Sequence, residues 1–161
     1  MTVDALFGIS VLMSFVAFGI VTKLYIWPPL RSMPREQALV PLVVPHTFRF
    51  VGLSFLVPGV VSPTLPSAFS NPAAYGDLVA AVLAVVATLA LTARASWALA
   101  IAWVFNLWGT ADLLHAIYQG QVGVRIVPGA LGAAFYIPTV IVPPLLVTHA
   151  LMFRVLLRKT P

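Results

Sequence analysis

The sequence predicts an all-α fold: a polytopic membrane helical bundle of five transmembrane helices, N-terminus outside and C-terminus cytoplasmic. Three observations predict it. Of the 161 residues, 61% are hydrophobic and 8% charged, whereas a soluble domain carries about 25% charged residues. The mean hydropathy is +1.03, and the apolar residues fall into runs of membrane-spanning length. Short turns rich in Pro, Gly and Ser separate these runs, so residues 1–161 read as a single transmembrane domain with the lipid bilayer as its surroundings.

The first span covers residues 5–26. No basic residue precedes it and no small-residue cleavage site follows it, so it reads as a retained helix and not as a signal peptide. Trp27-Pro28-Pro29 is expected to end it, an aromatic anchor followed by residues that cannot continue a helix. The second span, 38–61, contains Pro41, Pro45 and Pro58. The third covers 73–92, with Asn71 expected to cap it and Pro72 at its first position. The fourth covers 97–118. The fifth covers 128–153 and contains Pro138, Pro143 and Pro144.

The second span is the least regular, and the charges decide whether it crosses. With five spans, Lys23, Arg31, Arg35, Arg94, Arg154, Arg158 and Lys159 share one side, and only Arg125 lies on the other. Removing the second segment destroys that asymmetry, so the positive-inside rule selects five spans and a bacterial-type inner membrane orientation. On the third span, Ala80, Ala84 and Ala87 allow close helix approach. The five-residue link 92–96 makes the third and fourth spans antiparallel neighbours. Prolines in the second and fifth spans remove backbone hydrogen bonds at depth, which a membrane tolerates only where the backbone is buried or lines a cavity.

Few polar residues lie at depth. Arg49, three residues after His46, costs at least about 2.5–3.5 kcal/mol at the bilayer centre unless it is paired or faces a cavity. Asp112 is the first-choice counter-ion, Asp77 the second, and Asn106 a neutral partner. Asp112 and His115 share a helix face with Trp108 and Gln119. The ligand-binding set drawn from this pattern is Arg49, Asn106, Asp112, Trp103, Trp108, Tyr118 and His149, with His46 and His115 as candidate proton donors or acceptors.

The leading expectation is a pocket that binds, or transforms, a lipophilic small molecule whose anionic or carbonyl group meets Arg49. Whether it is an enzyme stays open. Three alternatives stand beside it: a proton-coupled transporter using Asp112 and His115, a b-type haem protein ligated by His46 and His149, and a structural subunit with a purely architectural Arg49–Asp112 pair. A homodimer fits each. Asp77, Asp112 and His115 give only weak metal-ligand spacing, so no metal is assigned. Zero cysteines exclude disulfides and thiolate chemistry. No basic run is long enough to track phosphates, which excludes nucleic acid, and no nucleotide or hydrolase motif is present.

The five-span count, the short chain and the Trp27-Pro28-Pro29 turn resemble the tryptophan-rich sensory/translocator proteins, which bind porphyrins and sterol-like molecules. That family's Trp-Tyr and Lys-Pro signature is not found, so none of its residues carries over. Asn106-Leu107-Trp108 and Asp112-x-x-His115 resemble the polar face of emopamil-binding sterol isomerases, without their paired intramembrane glutamates. Both resemblances imply a small helical bundle around a lipophilic ligand, and shape alone does not license a function.

Overall fold

Helices form wherever the apolar runs lie, and the prolines decide where each changes pitch. The computed structural model describes residues 1–158; Lys159 of the basic C-terminal cluster lies outside them. All regular elements among the described residues are helical. Helix α1 runs from Val3 to Leu30, α2 from Arg35 to Leu56, α3 from Ser67 to Thr92, α4 from Ala98 to Tyr118 and α5 from Ile137 to Leu156. Four of these, α1, α2, α3 and α5, are long and apolar enough to cross a membrane. Helix α4 has the length, at 21 residues, but Asn106, Asp112 and His115 lower its hydropathy below that of the others.

Several boundaries differ from the sequence expectation. Trp27-Pro28-Pro29 does not stop α1. The turn Thr22–Ile26 widens to π-helix, with the Trp27 N–H bonded to the Thr22 carbonyl, and the helix continues to Leu30. A widened turn relieves the clash that a proline ring makes with the carbonyl four residues earlier. Asn71 does not cap α3, which starts at Ser67 and takes Pro72 inside its second turn. The extension buries Phe69 edge-on against Phe55 at 5.6 Å, a gain that offsets the one hydrogen bond Pro72 cannot make.

The expected fifth span is two pieces. Pro128–Phe135 is a 3₁₀ segment broken at Gly132, where φ is 54° and ψ −132°. A side chain at Gly132 would collide with the Val60 carbonyl oxygen, which instead accepts the Ala133 N–H at 2.8 Å. Ser62 N–H donates to the Ala130 carbonyl at 2.9 Å, so this piece docks on the loop after α2. Helix α5 then opens with a π-helical turn, Ile137–Ile141, around Pro138.

Helix α3 sits centrally, against α2 on one side and α4 on the other. Its Ala80, Ala84, Ala87 and Ala90 are buried, which lets both neighbours approach closely. One apolar cluster holds the basic end together, including Leu30, Leu39, Leu91, Ala98, Phe105 and Met152. There Arg158 donates to the Leu30, Arg31 and Met33 carbonyls, Arg35 donates to the Arg158 carbonyl, and Arg154 stacks 4.0 Å over Trp27. Helix α1 stands apart from this scheme. None of its residues Val3–Val21 is buried, and it touches the bundle mainly along α5.

Candidate functional site

Proline placement sets the site. After Pro41 and Pro45, α2 tightens into a 3₁₀ helix over Val44–Leu56. Three residues per turn stack every third side chain on one face. That face is His46, Arg49, Gly52 and Phe55, the four buried residues of the segment. Arg49 therefore points straight into the bundle and is 2% exposed.

The Arg49 guanidinium is held by both carboxylates. Nε donates to Asp77 Oδ1 at 2.7 Å, and Nη2 donates to Asp112 Oδ2 at 2.5 Å while lying 2.7 Å from Asp77 Oδ1. Nη1 donates to the Gly109 carbonyl at 3.2 Å. Asp77, the second-choice counter-ion, is thus as closely bound as Asp112. Asn106 is not a partner of Arg49. It lies one turn deeper, where its Oδ1 accepts from His149 Nδ1 at 2.7 Å.

Three glycines, one on each of α2, α3 and α4, make room for this cluster. A Cβ at Gly52 would strike the Asp77 carboxylate, and one at Gly76 the Asp112 carboxylate. A Cβ at Gly109 would stand 2.6 Å from His149 Cε1, 2.7 Å from His149 Nε2 and 3.0 Å from Arg49 Nη1. The sequence reading missed all three. The available signal was Gly52 at the same three-residue interval as His46 and Arg49, Gly76 next to Asp77, and Gly109 three residues before Asp112.

The two histidines meet, with their rings closer together than a metal held between them would leave them. Their ring centroids are 4.2 Å apart. Two imidazoles on opposite sides of one metal, each with a bond of about 2 Å, need roughly 6 Å between ring centres. His46 Nε2 lies 2.9 Å from Thr148 Oγ1, which is also within reach of the Leu145 and Pro144 carbonyls. His46 Nδ1, His149 Nε2 and Asn106 Nδ2 are buried with no hydrogen-bond partner among the described residues. Among the described residues, no three His, Cys, Asp or Glu side chains converge as a metal site.

The remaining expected site residues lie elsewhere. His115 is exposed and sits 3.2 Å from Gln119 Nε2. Trp108 and Tyr118 are exposed on the outer face of α4, and Trp103 packs against Phe153 at 5.9 Å. These positions flank the face that holds Asn106, Gly109 and Asp112: Trp108 and His115 lie beside Asp112 and Trp103 beside Asn106, on the edges of that face.

Beside the ion cluster lies a cavity of 520 Å³, within the size range of small-molecule sites. Helix α1 forms one wall with Phe7 and Val11, α3 and α4 another with Phe69 and Ile117, and α5 a third with Leu146. Asp77 and Asp112 line it. Arg49, His46, Asn106 and His149 do not; they stand behind the carboxylates. Arg49 holds Asp77 and Asp112 and does not itself line this cavity.

Residues 6–157 match a family described as a domain of unknown function (DUF8737), and the chain belongs to that family. Among curated proteins and among solved structures, nothing matches it.

Proposed function

We propose that this member of the DUF8737 family is a membrane protein that binds a lipophilic small molecule in the cavity between α1, α3, α4 and α5. The observation that carries the reading is the chamber itself, 520 Å³ walled by aromatic and aliphatic side chains with two carboxylates on one side. An apolar pocket with a few convergent polar groups is the usual form of a ligand site. In this reading α4 also crosses the membrane and brings the spans to five, since Asn106 is buried and Asp112 turns inward to Arg49. The basic end of the bundle faces the cytoplasm of a bacterial-type cell, and the N-terminus lies outside. The groups that could exchange a proton with a bound molecule are Asp77 and Asp112, the titratable side chains on the wall at that depth.

Filling the cavity tests this reading. Ala116 lines it, and Ala116→Trp puts an indole where the ligand would lie. Native mass spectrometry of gently solubilised protein should show a non-covalent small-molecule adduct on the wild type that Ala116→Trp loses. Adducts of equal mass and abundance on both proteins would contradict it. A second reading, a proton-coupled carrier, draws on the same two carboxylates set against one guanidinium. It requires transport that depends on pH and is lost in Asp112→Asn.

A further inference from the structure

The ligand's polar end can be assigned from the charge on the cavity wall. Asp4, Asp77 and Asp112 line the cavity, and among the described residues no Lys, Arg or His side chain does. These are three of the four acidic residues in the chain. Arg49 supplies one positive charge against two carboxylates, and its donors are taken by Asp77, Asp112 and the Gly109 carbonyl. Each carboxylate turns a single oxygen to Arg49: Asp77 Oδ1 and Asp112 Oδ2. Asp77 Oδ2 and Asp112 Oδ1 pack against Gly52 and Gly76 and, among the described residues, accept no hydrogen bond, although Asp77 is only 8% exposed.

Of the other charged groups nearby, His115 bears on Asp112 from the exposed side of α4 and offsets part of its charge at most. His115 is turned to Gln119, and Arg125 donates to the Val122 carbonyl at 3.2 Å. An uncompensated buried charge is expensive. A cation placed against it recovers that cost, and an anion adds to it. The sequence expectation is an anionic or carbonyl group seated on Arg49; the charge on this wall favours the opposite sign.

We infer that the cavity takes a lipophilic cation, an amphipathic molecule with an aromatic or aliphatic body and a protonated amine, which sets its ammonium against Asp77 and Asp112 while its body fills the chamber. The inference rests on the reading of the cavity as a ligand site. The apolar walls fit the body, and the Asp77 and Asp112 carboxylates on the wall accept the ammonium protons.

A matched set of probes separates the two claims: 1-pyrenemethylamine, 1-pyrenemethanol and 1-pyrenecarboxylic acid share one ring system and differ in charge. Each is equilibrated by dialysis with protein in nanodiscs, against empty nanodiscs of the same lipid. The amine should bind the wild type at least about tenfold more tightly than the acid, the scale of one unscreened unit charge at partly buried distances. Asp112→Asn should remove most of that preference. Asp4→Asn, at the exposed N-terminal end of α1, should reduce it more weakly without touching the fold. Ala116→Trp should abolish binding of all three probes.

Equal binding of the three probes, all blocked by Ala116→Trp, would overturn the cation assignment and leave the ligand site standing. Tighter binding of the acid would overturn it as well. No binding of any probe above empty nanodiscs would overturn the site and the assignment together.

Discussion

Arg49→Leu should destabilise the protein by about 3–5 kcal/mol, the usual consequence of leaving a buried charge without its partner. Both partners suffer in this case. Asp77 and Asp112 would face each other across the vacated position with only the Gly52, Gly76 and Gly109 backbones around them. The measurement is thermal unfolding in detergent, followed by size-exclusion chromatography and near-ultraviolet circular dichroism. The variant should melt well below the wild type or elute as aggregate. The triple replacement Arg49→Leu, Asp77→Asn, Asp112→Asn removes all three charges and should recover most of the loss, because removing a buried ion cluster whole costs far less than breaking it. The triple variant also separates function from architecture. A structural subunit would work with it, whereas a binding site would not. A wild-type melting temperature for Arg49→Leu alone would show that the cluster contributes nothing.

Gly109→Ala should be nearly as damaging although it adds a single methyl group. That methyl would sit 2.6 Å from His149 Cε1 and 3.0 Å from Arg49 Nη1, and neither neighbour can yield cheaply. His149 is anchored to Asn106, and Arg49 to both aspartates. Overpacking of this kind costs about 1–3 kcal/mol, and the displaced guanidinium shifts the carboxylates on the cavity wall. Gly109→Ala should lower the melting temperature and weaken probe binding together. Gly8→Ala, where nothing stands within 4 Å, is the control and should leave stability unchanged. Equal stability of the two variants would contradict the packing described around Arg49.

How much of this was legible in the sequence depends on what each feature rests on. The apolar runs gave the helices, because length and hydropathy are properties of the sequence itself. Arg49 and its two carboxylate partners followed from scarcity, there being only four acidic residues to choose from. Pro41 and Pro45 announced irregular backbone, but not that it would tighten to a three-residue repeat that lines up His46, Arg49, Gly52 and Phe55. The break at Gly132 was hidden because it depends on the Val60 carbonyl, far away in sequence. Trp103, Trp108, Tyr118 and His115 were drawn toward the site by residue type. The register of α4 against α3 decides which side they face, and no single helix encodes that. The anionic expectation and the cationic proposal part for a related reason: the sequence shows an arginine at depth, while only the packing shows which groups stand in front of it.

The claim on which the rest depends is that the chamber beside Asp77 and Asp112 admits a lipophilic molecule. Photolabelling with 3-(trifluoromethyl)-3-phenyldiazirine, a small uncharged carbene source, reads this directly when followed by peptide mass spectrometry. In membranes the lipid-facing Val82 and Leu89 of α3 should be labelled equally in the wild type and in Ala116→Trp. Phe69 and Leu113, buried on the cavity wall, should be labelled in the wild type and protected in Ala116→Trp. Labelling of Phe69 and Leu113 that is absent from the wild type, or unchanged by the indole, would contradict the account.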